Sequence, residues 1–244
     1  MNPEVIHDPK ADLSTGRILL IDKPLRWTSF DAVNRIKRVI LQDVLKDVED
    51  PTTRKTLKKK LKVGHAGTLD PLATGLLIIC TGPMTKQIMG IQAQEKEYTG
   101  TITLGAITPT YDLESEPEQH QPLEGITEES IRAAAAEFVG KISQLPPIHS
   151  AIRIAGERAY DLARKGAEVP IQAREIEIKE FSIGRIALPE VDFKVVCSKG
   201  TYIRSLAHDI GQKLGCGGYL STLRRTRIGS YSAAEAVSPA AFLS

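Results

Sequence analysis

No stretch of this sequence is apolar for long enough to cross a membrane. Its first residues, MNPEVIHDPKADLSTG, hold neither a basic n-region nor an apolar h-region. A secretory or membrane-spanning role is disfavoured on that ground, and a cytoplasmic protein is expected. Cysteine is scarce: Cys80, Cys197 and Cys216 are scattered, odd in number and form no C-x-x-C pair. That argues against a disulfide framework and a thiolate zinc site, and for packed, reduced thiols. Histidine is nearly as sparse. His65, His120, His149 and His208 show no i,i+4 ligand spacing, and His7 lies in the N-terminal tail, so no metal centre is expected. The net charge of +2 says nothing by itself for or against a nucleic-acid partner.

What the chain does have is segregated charge. RKTLKKKLK (Arg54 to Lys62) carries six positive charges and no negative one, and LRRTR (Leu223 to Arg227) carries three. Acids gather elsewhere, as in DLESEPE (Asp112 to Glu118). This distribution permits a basic face on a nearly neutral protein. Simple solvated surfaces remain the alternative. At 244 residues, 41% apolar and 25% charged, the chain can build one full core, or a main domain with an elaborated lobe.

The pattern mixes strands and helices without a strict βαβ rhythm, which predicts an α+β fold. GRILLIDKP reads as a buried strand, followed by a helix capped at Thr28 or Ser29 and continuing towards Pro51. EYTGTITLGA alternates as a half-buried strand does. Thr127 opens a helix with Ile131, Ala134, Ala135, Phe138 and Val139 on its apolar stripe, ended by Gly140. A short helix is expected near ERAYDLARKG. REIEIKEFSIGRI and EVDFKVVCS read as antiparallel neighbours, and GTYIRSLAHDIGQKLGCGG as a helix.

Five residues raise chemical questions. Asp70 stands in VGHAGTLDPLATGLLIICTG, a glycine-flanked turn against an apolar run. An ionised carboxylate there must be paired or solvated; it is either a turn former, as Asp-Pro favours, or kept for chemistry. Arg204 falls in the first turn of its helix, where the macrodipole disfavours a cation by a few tenths to about 1 kcal/mol. It therefore calls for an anionic partner, or else lies exposed over apolar surface. Tyr98 and Tyr202 are either core residues or platforms for an unpaired base. His65 is either a hydrogen-bonded turn residue or a functional group.

Taken with GHAGTLDPLATGLL, four further motifs occur in order: LLIDKPLRWTS, KEYTGTITLG, QLPPIHSAIRIAGERAYDLARKG and CSKGTYIRSLAHDIGQKLGCGGYLSTLRR. Together they closely resemble the bacterial tRNA pseudouridine synthase B family over about Gly16 to Gly229. The resemblance implies a pseudouridine synthase catalytic fold over 16–244: a mixed, mainly antiparallel sheet flanked by helices and loops. The N-terminal extension is 1–15, the segment 41–62 is an enlarged basic insertion, and a C-terminal PUA domain is not expected. It implies isomerisation of uridine 55 in the TΨC loop of tRNA, with no cofactor and no metal.

Carried over residue by residue, the resemblance makes Asp70 the catalytic carboxylate and Tyr98 the residue stacking on the target uracil. Arg204 pairs with Asp70, and Tyr202 and Leu223 line the pocket. His65 enters the RNA loop where the base leaves. An opposite charge a few ångströms away favours an ionised carboxylate, so an Asp70–Arg204 pair would answer both oddities at once. Lys23, Arg224, Arg225, Lys58, Lys59 and Lys60 are the candidates for RNA phosphates. His149 and Arg153 depart from the tyrosine and lysine common in the family. The expected partner is the TΨC stem-loop of tRNA, with no membrane, no obligate protein partner and a monomeric state. The competing readings are a guide-dependent ribosomal RNA synthase and a non-catalytic protein that binds or helps fold tRNA.

Overall fold

The run Ile18–Ile21 is apolar on both faces, and it forms the buried start of a strand. In the computed structural model, residues 5–6, 16–148, 150, 153–154, 157–158 and 171–242 are described. They divide into two compact units, one from residues up to Lys96 together with Arg224 onward, the other Glu97–Leu223.

In the first unit, β2 (Ile18–Lys23) lies between β1 (Val5–Ile6), which is parallel, and β4 (Ala73–Thr81), which is antiparallel. β3 (Val63–His65) pairs with the end of β4. Ile18, Leu20, Leu76, Ile78, Cys80 and Ile91 form a core with Ile228. Helix α1 (Ser29–Leu45) starts at a Thr28–Asp31 capping box and turns Ala32, Val33, Ile36 and Ile40 inward. The helix expected to reach Pro51 ends at Leu45. Asp50 then caps a second helix, α2 (Pro51–Lys60), with proline at its first position. This helix was not legible as one, because it has no apolar stripe. A short α3 (Ile88–Ala93) follows β4.

In the second unit, β5 (Lys96–Leu104) adjoins β10 (Glu190–Cys197), and β9 (Arg174–Ala187) lies between β10 and β6 (Gly140–Gln144). The β9–β10 and β6–β9 pairings are antiparallel. β7 (Arg153–Ile154) and β8 (Glu157–Arg158) form a separate ribbon. Glu157 and Arg158 thus begin the ERAYDLARKG stretch in a strand; the rest of that stretch, and His149, lie outside the described residues. Helix α4 (Glu128–Ala136) packs on β9, and α5 (Ile203–Leu214) packs on α4. α4 stops before Phe138, two residues ahead of Gly140, which opens β6 with a left-handed φ of 107°. β11 (Gly218–Ile228) supplies residues to both units, and β12 (Tyr231–Ser232) pairs with its end. The α+β expectation, with a mixed and mainly antiparallel sheet, holds.

All three cysteines are buried thiols. Among the described residues, no helix is long and apolar enough to cross a membrane, and no three His, Cys, Asp or Glu side chains gather as metal ligands would.

Candidate active site

Asp70 sits in the loop between β3 and β4, half-exposed, and that loop is fastened on both sides. The Arg225 guanidinium donates from Nε to the Leu76 carbonyl on β4 at 2.8 Å. Its Nη1 reaches the Thr68 carbonyl at 3.3 Å, and its Nη2 the Gly67 carbonyl at 3.1 Å. Ser29, the first residue of α1, accepts from the Leu69 amide at 2.8 Å and donates to the Leu69 carbonyl at 3.1 Å. Behind it, the Lys23 ammonium donates to the carbonyls of Trp27 (2.6 Å), Pro24 (3.1 Å) and Pro71 (3.4 Å). The Ala73 amide closes the turn onto the Asp70 carbonyl at 3.0 Å. A planar fork, a hydroxyl and an ammonium thus hold the backbone around one carboxylate.

Glycine is required where β4 meets β11. Gly75 has a φ of 95°, and a Cβ there would lie 2.3 Å from the Arg225 carbonyl oxygen.

Electrostatics inside this unit follow from burial. Lys23 is fully buried, and desolvation lowers its pKa to about 8, with the Asp70 carboxylate opposing the fall. Burial also lowers the pKa of His65; the Gly67 backbone opposes that and the Arg225 charge adds to it. His65 is therefore neutral near pH 7.

The second unit holds Tyr98, Tyr202, Arg204 and Leu223. Tyr98 is buried on β5. Tyr202 precedes the first turn of α5, where no side chain caps the helix. The buried Gln144 grips its backbone instead, its Oε1 accepting from the Tyr202 amide at 2.8 Å and its Nε2 donating to the Tyr202 carbonyl at 3.0 Å. Arg204 is buried, as an exposed arginine would not be. Its Nη1 donates to the Thr110 carbonyl at 3.1 Å, and its Nε lies 3.6 Å from Asp112 Oδ2. The Thr110–Asp112 turn is placed by Tyr111, which adopts a φ of 63° and stacks on His208 at 3.9 Å. His208 lies one helical turn beyond Arg204 on α5.

Several expectations change here. Lys23 and Arg225 are buried and donate to carbonyls, so they build the Asp70 loop rather than meet RNA phosphates. Arg224 forms a two-pronged pair with Asp22, at 2.9 Å from each nitrogen, which ties down its charge as well. Lys58, Lys59 and Lys60 are exposed in the last turn of α2. Sequence reasoning missed Ser29, Gln144 and Asp112. By sequence Asp112 reads as one of the compensating acids of its loop, and only its Thr-Pro-Thr-Tyr-Asp turn sets it apart.

A sequence profile of the TruB family pseudouridylate synthase N-terminal domain matches residues 54–203, and one of the tRNA pseudouridylate synthase B C-terminal domain matches 204–244. The chain is 54% identical to the tRNA pseudouridine synthase B of Flavobacterium johnsoniae, over 91% of this chain and 92% of that one. The chain belongs to the TruB family of pseudouridylate synthases. Relatives of the same name from Phocaeicola vulgatus and Chlorobaculum tepidum are 48% and 46% identical. Those alignments cover 93% and 91% of this chain, and 92% and 88% of the relatives. Among solved structures, this TruB-family chain superposes on a Cbf5–Nop10–Gar1 complex with a TM-score of 0.63 and 28% identity, over 95% of its length. It matches an H/ACA RNP bound to a substrate RNA containing 2′-deoxyuridine with a TM-score of 0.60, 26% identity and the same coverage. It spans only 56% and 55% of those two chains.

The family assignment makes the chain a pseudouridine synthase, an isomerase. Asp70 lies in the first unit and Arg204 in the second; their pairing is a proposal.

Proposed function

We propose that this chain converts uridine 55 in the TΨC loop of tRNA to pseudouridine, acting as a monomer in the cytoplasm. The observation that carries the proposal is the 54% identity, over nearly the whole chain, to a tRNA pseudouridine synthase B. The fastened loop that offers a half-exposed carboxylate at Asp70 supports it.

The target base leaves its stack, at a cost of a few kcal/mol. Tyr98 stacks on the uracil, Tyr202 and Leu223 close the pocket, and His65 occupies the gap left in the loop. Asp70 is the nucleophile, and Arg204 is its proposed counter-charge. The bond from N1 to C1′ breaks, the ring turns while held, and a bond from C5 to C1′ forms. N1 ends with a proton and C5 gives one up, so the reaction is redox-neutral and needs no added electron carrier. Asp112 and the Thr110 carbonyl hold the Arg204 guanidinium in one orientation.

A second reading, a guide-dependent ribosomal RNA synthase, draws on the likeness to Cbf5 complexes. Its identities of 27–28% fall well below the 45–54% of the tRNA enzymes. Tritium release from transcripts carrying 5-tritiated uridine separates the two. Release from whole tRNA, and its loss when uridine 55 is replaced by cytidine, is the expected result. Equal release from the altered tRNA, or preference for a guide-bound ribosomal hairpin, contradicts the proposal.

A further inference from the structure

Helix α2 buries none of its residues. A ten-residue helix with no apolar face is marginal on its own. This one is fixed at its start, by the Asp50 cap and by Arg54, whose Nη1 donates to the carbonyls of Val48 (2.6 Å) and Leu45 (3.1 Å). It displays Arg54, Lys55, Lys58, Lys59 and Lys60 and carries no acid. Between α2 and the later half of α1 lies an open cleft of about 640 Å³. Lys37 and Arg38 line it from α1, Lys46 from the position that follows α1, Arg54 and Lys58 from α2, and no acidic residue lines it.

Lys46 is paired with Asp43, and Arg54 serves the two carbonyls. Lys37, Arg38 and Lys58 have no ion-pair partner among the described residues. We propose that this cleft binds the phosphodiester backbone of the substrate RNA, as a second contact apart from the reaction site. The proposal rests on the chain being an RNA-modifying enzyme. Ser29 is hydrogen-bonded to Leu69, beside Asp70, so α1 begins at the catalytic loop. Lys37 and Lys46 come eight and seventeen residues later, which at about 1.5 Å per residue is roughly 12 and 25 Å along the axis. A nucleoside held at Asp70 does not reach the cleft; the backbone of the same RNA does. Cations without an ion-pair partner suit a row of phosphates. A protein partner would want an apolar anchor, and the cleft offers only Leu41, half-covered, and Leu45, already buried.

The test is equilibrium binding of whole tRNA across a potassium chloride series, with thermal unfolding as the check on folding. Lys37→Ala/Arg38→Ala is expected to weaken binding at low salt about ten-fold and to lower the slope of log K against log salt by about 2. Lys58→Ala, on the other helix, is expected to lower the slope by about 1, and it decides the matter if the double variant unfolds. Wild-type affinity and slope in both variants, with wild-type tRNA binding intact, overturn this inference and leave the proposed activity standing. Weaker binding of polyglutamate but not of tRNA would assign the cleft to an acidic protein and also overturn it. Failure of the wild type to bind or modify tRNA would instead count against the activity.

Discussion

The Nε of Arg204 lies 3.6 Å from the carboxylate of Asp112, and both side chains are more than nine-tenths buried. A buried ion pair contributes little net stability, but removing one partner strands the other charge at a cost of about 3–5 kcal/mol. Asp112→Ala is therefore expected to lower the unfolding free energy by that order and to cut turnover by a hundred-fold or more. Asp112→Asn keeps an acceptor for the Glu114 amide, 3.0 Å away, and should fold better than the alanine variant while remaining slow. Denaturant unfolding and single-turnover rates check this; wild-type turnover in both variants would remove Asp112 from the positioning of Arg204.

Ser29 links the start of α1 to the residue before Asp70. Ser29→Ala leaves the buried Leu69 amide without its acceptor, a loss of about 1–3 kcal/mol. Because the bond fixes the loop that carries Asp70 and touches no substrate in the proposed reaction, kcat should fall several-fold with KM nearly unchanged. A change confined to KM would contradict this positioning role.

Asp209 gives a pH signature. Burial raises its pKa from 3.8 to about 6, so between those values the folded state holds a proton that the unfolded state has lost. Stability from this group is therefore full below about pH 4 and declines as pH rises towards 6. Asp209→Asn should be more stable than wild type at pH 7.5, by about 1–2 kcal/mol after allowing for partial exposure, and equal to it at pH 4. Thermal unfolding at the two pH values checks this; a destabilised variant at pH 7.5 would mean the ionised carboxylate is held by a favourable contact.

Arg225 reaches three carbonyls with a planar fork, which a lysine does not reproduce. Arg225→Lys is expected to lose about 2–4 kcal/mol, since buried acceptors lose their donors. Its tRNA affinity should stay near wild type, because the charge it carries faces inward. A large loss of affinity in a folded Arg225→Lys protein would restore Arg225 as a phosphate contact.

Much of the fold could be read from the chain, because periodicity and caps act locally. Ile18–Lys23, the Thr28 cap, the β9–β10 pair and the α5 stripe each follow from a short pattern. α2 could not be read, since its only helical signals are Asp50-Pro51 and a basic tail. The end of α4 was misjudged because the apolar spacing continues to Val139 while the chain turns into β6. Among the candidate site residues, Asp70, Tyr98 and Arg204 stand out through motif and helix position. The roles of Lys23 and Arg225 do not: a lysine or arginine in a basic run reads as surface, and only tertiary packing turns it inward onto carbonyls. Asp112 and Gln144 act over 92 and 58 positions of sequence respectively, which no local pattern records.

The central claim is that the Asp70 carboxylate performs the isomerisation. Single-turnover tritium release from tRNA, with enzyme in excess over substrate, tests it in wild type and Asp70→Asn, alongside equilibrium tRNA binding. The account predicts no detectable release by Asp70→Asn, with tRNA affinity within a few-fold of wild type. Release by that variant at a rate near the wild-type value would contradict it.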